Sequence, residues 1–460
     1  MSENIENSGP KPENSEKSER NSQSSIVTIF SLWNTMMGVS LLSMPWALYQ
    51  AGLVLGLAIM LAMAFLCFYT AYLVIQSPVG MEKTDSIVLE FADICRVFLG
   101  KIGEMIALVF SITILIGAVL AYWVLMSNFL YFSGTLLYGL INPSNNTLTD
   151  DDEGVCDIHC GMDSSLTSSS SNTTRQEIVF GLTFDEIWQL RLTVPILLAV
   201  LTFPLLNFKS PTFFTKFNMF GTISVMYLLI FNGVRLQKCG ISWDFTNSSS
   251  PHYVEKFSWN FPALTGMLTM SYFIHNAIIT ILRSQRNPEN NTRDLSFGYA
   301  LVAFSYIFVG FTFYSAYPLE RTCIPDNLLN SFRADYPYSA VARCMILFQL
   351  ITILPLILFF IRSQVFCAIF KTPWPGLLLV LLLNGTIVCA GVLTAIFFPN
   401  IGSIIRYFGA FSGLMYVYAL PCLIYMRKRY LEGQLTIPSA IVHTIISIFG
   451  VVNLIAQFFV

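Results

Sequence analysis

Long apolar stretches separated by short polar connections dominate the chain. A helix needs ~20 mostly apolar residues to cross a bilayer, and backbone groups in hydrocarbon must satisfy their own hydrogen bonds. Each stretch is therefore predicted to be a transmembrane helix, which makes the protein an all-α polytopic membrane protein with eleven spans. The predicted spans are 26–49, 53–77, 104–138, 191–207, 212–233, 261–282, 295–317, 340–362, 376–398, 402–426 and 438–459.

Composition supports lipid as the main solvent. Hydrophobic residues make up 55% of the 460 residues and charged residues 11%, against about 25% charged residues in soluble domains. The net charge of −2 comes without a basic patch, so a nucleic-acid partner is not indicated. The sequence also lacks a Walker A loop and a nucleophile elbow, which argues against an ATP-driven pump and an enzyme.

Charged and polar connections predict the orientation. Lys and Arg are in excess in the short connections on the side of the N-terminus, which places that side in the cytosol. Residues 1–24 are predicted to be a disordered cytosolic tail, and the odd number of spans puts the C-terminus in the lumen. The glycosylation sequons of Asn145, Asn172 and Asn247 fall on the lumenal side, two of them in a solvated loop at about 139–190.

Four cysteines lie in the predicted lumenal connections, where disulfides can form. Cys239 and Cys323 lie in two different loops, and a bridge between them is a candidate. Cys156 and Cys160 flank His159, but this spacing is a weak metal signal and favours a disulfide or unpaired thiols.

The first span carries residues that favour an interruption near its centre. Gly38 can leave helical geometry at little cost, Pro45 lacks a backbone N–H, and Ser40 and Ser43 add hydroxyl groups. An opened helix exposes carbonyls to a cation and N–H groups to a carboxylate. An ordinary kinked span is the alternative, because Gly and Pro are common in membrane helices.

The sixth span repeats the pattern with Gly266, Thr269, Ser271, His275 and Asn276, and its interruption is expected around Gly266–Ser271. Two interrupted helices five spans apart are typical of a 5+5 inverted repeat, to which the eleventh helix is appended. The histidine either relays protons and contacts a solute or is a neutral group bonded within the helix bundle. The asparagine either binds the solute or joins helices.

Several segments along the chain form recognisable motifs. They are Asn34-Thr-Met-Met-Gly38, Leu42-Ser-Met-Pro-Trp46, Gln50-Ala-Gly52, Phe273–Asn276, Glu289–Asp294, Phe348-Gln349-Leu-Ile-Thr352 with Pro355, and Pro399–Gly413. Together they resemble the amino acid/auxin permease family over roughly residues 25–460. The resemblance implies the leucine-transporter type of fold, with discontinuous helices 1 and 6.

The resemblance also implies a site. The candidate substrate-binding residues are Thr35, Met36, Met37, Gly38, Val39 and Ser40 of the first span, with Thr269, Ser271 and Asn276 of the sixth. A candidate Na+ site joins the carbonyls near Gly38 to Thr352, since hard cations take oxygen ligands. Val39 stands where a close family member has a threonine linked to sodium binding, so sodium and proton coupling both stay open.

The leading hypothesis is secondary active transport of an amino acid by alternating access, with no cofactor other than Na+ as the candidate coupling ion. An amino acid sensor with little transport is the alternative. The short stretch before the first span does not support cytosolic signalling partners. The resemblance implies a lysosomal or late endosomal membrane, with the plasma membrane as the alternative. The few charges near the predicted site suit a zwitterion but do not identify the amino acid.

Overall fold

The computed structural model describes residues 23–78, 90–142, 155–160, 183–209 and 218–460. Within these ranges the regular elements are helices, without β-strands, as the sequence predicts. The α-helices of more than four residues are α1 (Ser25–Met36), α2 (Ser40–Ala51), α3 (Leu53–Gln76), α4 (Phe91–Ile141), α5 (Thr193–Leu206), α6 (Asn218–Cys239), α7 (Pro262–Ser271), α8 (Ile278–Arg283), α9 (Asn291–Ala316), α10 (Pro337–Phe370), α11 (Leu377–Phe397), α12 (Ile401–Gly413), α13 (Leu420–Leu431) and α14 (Ile437–Ala456), with a π-helix (Leu414–Ala419) between α12 and α13.

Seven helical stretches in the described ranges are long and apolar enough to cross a membrane. They are Leu53–Gln76, Phe91–Ile141, Pro288–Ala316, Pro337–Phe370, Leu377–Phe397, Ile401–Leu431 and Ile437–Phe459. The pair α1 and α2 adds an eighth if the two are one broken span. A multi-pass membrane protein is thereby confirmed. The count of eleven and the inverted repeat stay predictions, because α5 is shorter than a span and the predicted stretch 212–233 begins outside the described residues.

The first predicted span is broken. Helices α1 and α2 meet at an angle of 62° across Met37–Val39. Pro45 lies inside α2 and not at the break, so the proline does not cause the interruption. Instead, α9 packs along both pieces, and Trp33 Nε1 donates to Ser305 Oγ at 3.0 Å. These contacts fix α1 in its bent position.

The sixth predicted span is also broken, but at a different place from the one expected. Gly266–Ser271 was expected to unwind, and this prediction was wrong, because these residues are helical in α7. The interruption lies at 272–277, after which α8 begins. A Cβ at Gly266 would lie 2.8 Å from the Gln457 carboxamide. The glycine therefore allows close packing of the C-terminal segment, and its conformational freedom is not used.

The disulfide pairing also differs from the candidate. Cys239 bonds to Cys156 and Cys323 bonds to Cys160, so the predicted Cys239–Cys323 bridge was wrong. The segment 155–160 is therefore bonded to two separate parts of the chain, one at Cys239 and one at Cys323. Four cysteines permit three pairings, and sequence alone does not choose among them.

The same short segment is also held by polar contacts. Asp157 pairs with the buried Arg235 at 3.0 Å, and the backbone N–H of His159 donates to the Ser331 carbonyl at 2.9 Å. One contact fixes the segment to α6 and the other to the connection after α9.

The start of α1 is attached to the segment that follows α8. Gln23 and Gln285 form a parallel bridge, in which Gln23 N donates to the Ser284 carbonyl at 2.6 Å and Arg286 N donates to the Gln23 carbonyl at 2.9 Å. Arg293 Nη2 donates to Ser25 Oγ at 3.1 Å. These contacts connect the N-terminal end of the bent helix to the region around α8 and α9.

The connection between α9 and α10, residues 317–336, packs onto the helix bundle. Asp326 Oδ2 accepts from the backbone N–H of Ile401 at 2.7 Å and of Gly402 at 3.3 Å, so it caps the first turn of α12. Asn327 Nδ2 donates to Asn128 Oδ1 of α4 at 3.2 Å. Burial raises the pKa of the Asp326 carboxyl, although the two backbone donors act in the opposite direction.

One of the three predicted glycosylation sequons lies within the described residues. Asn145 and Asn172 lie outside the described ranges. Asn247 is exposed in a turn, where its Oδ1 accepts from Ser249 N at 3.0 Å. Its glycosylation stays a prediction.

Candidate functional site

The break between α1 and α2 leaves backbone groups outside regular helical bonding. Met37 is extended, with φ −72° and ψ 102°, and α2 starts on tighter bonds, from Leu41 N to the Gly38 carbonyl at 3.2 Å and from Leu42 N to the Val39 carbonyl at 3.1 Å. The C-terminal carbonyls of α1 carry partial negative charge, and the first N–H groups of α2 carry partial positive charge.

The break after α7 exposes carbonyl groups in the same way. Tyr272 leaves the helix with φ −90° and ψ 10°, and helical bonding resumes where Ile278 N donates to the Ile274 carbonyl at 2.9 Å. The Tyr272 carbonyl accepts from the hydroxyl of Tyr299, on α9, at 3.0 Å.

A second tyrosine of α9 joins the two breaks. The Tyr306 hydroxyl lies 2.7 Å from the Met36 carbonyl oxygen and 3.1 Å from the Ser271 carbonyl oxygen. Ser40 Oγ is 3.4 Å away. All four residues are buried. The last residues of α1 and α7 therefore direct their carbonyls to one point, where partial negative charge is concentrated.

A cavity of about 20 Å³ adjoins the first break, which is room for about one water molecule. It is too small for a larger solute, so such a solute requires the surrounding helices to move. The cavity is lined by Met37, Gly38, Val39, Leu41, Leu42, Tyr122, Ser224, Val225, Leu228, Ile346, Gln349 and Leu350. None of these lining residues is charged.

Comparison with known proteins identifies the family. The family model described as "Transmembrane amino acid transporter protein" matches residues 21–138 and 164–460. The chain belongs to this transmembrane amino acid transporter family. The resemblance seen in the sequence motifs is thereby confirmed.

Curated relatives of this amino acid transporter family member carry related names. "Sodium-coupled neutral amino acid transporter 9 homolog" of Caenorhabditis elegans is 52% identical over 95% of this chain and 73% of the relative. "Neutral amino acid transporter 9" of Xenopus laevis is 41% identical over 98% of the chain and 82% of the relative. Its namesake of Danio rerio is 42% identical, over 95% and 80%. These relatives are named as transporters, which are not enzymes.

Most of the predicted first-span residues of this family member lie at the break. The Met36 carbonyl and Ser40 Oγ contact the Tyr306 hydroxyl, whereas Met37, Gly38 and Val39 line the cavity. From the sixth span, only the Ser271 carbonyl reaches the same point. Its side chain donates within α7, to the Met267 carbonyl at 2.8 Å.

The hydroxyl groups of three predicted site residues form hydrogen bonds away from the point where the two breaks meet. The exposed Thr35 donates to the Ser31 carbonyl at 2.7 Å. Thr269 Oγ1 lies 2.6 Å from the Tyr418 hydroxyl and accepts from Asn453 Nδ2 at 3.3 Å, so it joins α7 to the C-terminal helices. Thr352 Oγ1 donates to the Gln349 carbonyl at 2.8 Å, and Thr352 is not part of the cavity lining.

His275 and Asn276 lie within the second break. The buried His275 Nε2 lies 2.9 Å from Thr70 Oγ1 of α3, and its ring stacks on Phe273. This contact agrees with the structural alternative for the histidine. Asn276 is half-buried beside it, and its role stays a prediction.

Three residues at the site were not given a role by the sequence. Tyr299 and Tyr306 are seven residues apart, about two helical turns, and this spacing within an apolar span was a readable signal. Gln349 belongs to a family motif, but the cavity that it lines forms only where the first break, α2, α4, α6 and α10 come together. No local sequence pattern predicts that these helices come together.

Proposed function

We propose that the protein transports neutral amino acids across a membrane by alternating access, with the substrate's backbone bound at the two helix breaks. The observation that carries the proposal is the convergence of the Met36 and Ser271 carbonyls on one hydroxyl. An ammonium group with three donors suits such a point, and the N-terminus of α2 suits a carboxylate. A zwitterionic amino acid carries both an ammonium group and a carboxylate.

The neutral class follows from the lining and from the relatives. The cavity lining contains no Asp, Glu, Lys or Arg, so it offers no partner to a charged side chain. The relatives are named as neutral amino acid transporters. Because the cavity is about 20 Å³, substrate entry requires rearrangement, which agrees with a site that opens alternately to the two sides.

The proposal includes coupling of transport to an ion, and this ion is either Na+ or a proton. Na+ would use the carbonyls near Gly38 together with Thr352, and the C. elegans relative is named as sodium-coupled. The Thr352 hydroxyl donates its proton to the Gln349 carbonyl. The lone pairs of its oxygen remain able to coordinate a cation. The orientation with a cytosolic N-terminus, and a lysosomal or late endosomal membrane, complete the proposal.

Purified protein in proteoliposomes tests the function. We expect uptake of labelled neutral amino acids, measured with sodium and with choline in its place at two pH values. Loss of uptake in choline identifies sodium coupling, and a response only to pH identifies protons. No uptake of any amino acid under either gradient contradicts the transport proposal. Binding of an amino acid without uptake would instead favour a sensor.

A further inference from the structure

We infer that α14 and the turn after it hold α7 in a fixed position against α12 during transport, through the side-chain amides of Asn453 and Gln457. These two are positioning residues, because α7 ends in the Ser271 carbonyl at the point where the two breaks meet. The inference rests on the proposed function and adds which half of the broken sixth span stays still.

Most of α14 lies on the outside of the helix bundle. Only 17% of its apolar stretch is buried, the lowest share of the seven candidate spans. The buried residues of α14 are His443, Gly450 and Asn453, and Gln457 in the next turn is fully buried. Because packing and hydrogen bonds hold helices together in a membrane, these few residues determine where α14 attaches.

Both amides of this segment bind α7. Asn453 Oδ1 accepts from Thr265 Oγ1 at 2.6 Å, and Asn453 Nδ2 donates to Thr269 Oγ1 at 3.3 Å. Gln457 Nε2 donates to the Pro262 carbonyl, in the first turn of α7, at 2.7 Å. The three partners follow one another at helical spacing along one face of α7. The half-helix therefore cannot slide or turn against α14 without breaking these bonds.

Glycines let α12 approach the same half-helix closely. A Cβ at Gly409 would overlap the Gly266 carbonyl oxygen, and a Cβ at Gly413 would overlap Thr269 Cγ2. The hydroxyl of Tyr418, in the π-helix that follows α12, lies 2.6 Å from Thr269 Oγ1. Since packed interiors transmit strain and compress little, contacts of this kind leave α7 little room to move between α12 and α14.

The half of the span that follows the break has different neighbours. Both halves contact α3, but α8 otherwise packs mainly against α1. The residues after α8 pair with Gln23, before the start of α1. The break at 272–277 therefore separates a half bonded to the C-terminal helices from a half bonded to the start of α1. Opening of the site at the α8 end then moves α8 with α1, while α7 stays in place.

The apparent KM for uptake of labelled glutamine by proteoliposomes tests the positioning role. Asn453→Leu keeps a branched side chain and removes the amide, while the Thr265 and Thr269 hydroxyls stay bonded to carbonyls of α7. A loosened α7 displaces the Ser271 carbonyl. The KM should therefore rise about threefold or more, the factor of an average hydrogen bond between membrane helices. Gln457→Leu should act in the same direction.

Asn384→Leu is the matched control. Asn384 is a fully buried asparagine that joins two other helices, since its Nδ2 donates from α11 to the Leu206 carbonyl of α5 at 3.0 Å. Its loss should lower the amount of folded protein, and with it the maximal rate, but leave the KM unchanged. An unchanged KM in both Asn453→Leu and Gln457→Leu, or an equal rise in the control, overturns the inference. If Asn453→Leu does not fold, Gln457→Leu decides.

A crosslink between α7 and α12 supplies a second measurement. A Cβ at Gly413 would lie 3.4 Å from the Thr269 Cβ, close to the Cβ–Cβ distance of a disulfide, about 3.8 Å. The exposed free cysteines are first replaced by serine. Oxidised Thr269→Cys/Gly413→Cys protein should then keep the uptake that the same protein shows under reductant, because the two helices do not separate.

Uptake that disappears on oxidation of this double variant and returns with reductant contradicts a fixed α7. If the double variant lacks uptake in both states, the KM values decide alone. A wild-type protein without glutamine uptake contradicts the proposed function itself, which separates the two failures.

Discussion

The Tyr306 hydroxyl lies 2.7 Å from the Met36 carbonyl oxygen, at the point where α1 stops. The same hydroxyl is 3.1 Å from the Ser271 carbonyl at the end of α7. A hydroxyl has one proton, so it cannot satisfy both carbonyls fully at the same time. The shared contact ties the two breaks together and leaves acceptor capacity for a ligand with more donors.

Tyr306→Phe should lower amino acid uptake strongly, by about tenfold or more, because two buried carbonyls lose their donor. Such a loss corresponds to about 1–3 kcal/mol per unsatisfied buried group. Uptake in proteoliposomes and thermal unfolding of the purified protein measure the two effects separately.

Tyr299→Phe is the control for this substitution, since its hydroxyl contacts only the Tyr272 carbonyl at one break. It should cost similar stability but less transport than Tyr306→Phe. Equal uptake by wild type and Tyr306→Phe would show that the bridging hydroxyl is not needed for transport.

A crosslink between the start of α1 and the segment after α8 should stop transport. Gln23 and Gln285 face each other in a parallel bridge. Neighbouring strands lie about 4.8 Å apart, which is within the Cα–Cα range of a disulfide. Alternating access requires such gates to open, so oxidised Gln23→Cys/Gln285→Cys protein should lose uptake, and reductant should restore it.

The exposed free cysteines Cys344, Cys367 and Cys389 are replaced by serine beforehand, which leaves the native disulfides in place. Each single-cysteine variant serves as a control and should keep its uptake under oxidant. Full uptake by the crosslinked protein would mean that this contact does not open during the cycle.

Val39→Thr should increase the dependence of uptake on sodium. Val39 is buried at the break and lines the cavity, and a threonine there adds a hydroxyl oxygen of nearly the same volume. Oxygen ligands favour hard cations. The measurement is the ratio of uptake in sodium to uptake in choline, and an unchanged ratio would show that the side chain at this position is irrelevant to coupling.

Asp326 should contribute to stability in a pH-dependent way. Burial raises its pKa in the folded protein, above the usual value of about 3.9 for a free aspartate. Its favourable contribution is therefore complete below the unfolded pKa and is lost as the pH rises through the folded pKa. Relative to Asp326→Asn, wild type should be most stable below about pH 4 and should lose this advantage as the pH rises above that value.

Substitution of Asp326 by alanine removes the acceptor as well as the charge. Because Ile401 and Gly402 then lose their capping partner, Asp326→Ala should be about 1 kcal/mol less stable than Asp326→Asn at any pH. Thermal unfolding in detergent across this pH range measures both variants. A flat difference between wild type and Asp326→Asn would contradict the role of burial.

Helical class and the positions of most spans were predictable, because apolar length and missing charge are local properties of the chain. The break around Gly38 was also predicted, from a glycine and two serines that stand close together in one apolar span. The second break was misplaced because Gly266 serves packing against Gln457, and a sequence does not distinguish a glycine used for close approach from one used for a bend.

The residues around the two breaks were predictable, whereas the contacts of their side chains were not. Met36, Ser40 and Ser271 meet at one point, but the residue that joins them, Tyr306, comes from a further helix. Their role in substrate binding stays a prediction. The hydroxyl of Thr269 looked available in the sequence, yet it pairs with Tyr418. Tertiary partners decide which polar groups stay available, and these partners lie far apart in the chain.

Both disulfides run from residues 155–160 to the part of the chain after residue 238. A protease that cuts once between residues 161 and 238 therefore divides the polypeptide into two fragments that remain covalently joined at two points. On a non-reducing gel such nicked protein migrates as one species. Its two halves separate only when both bridges have been opened.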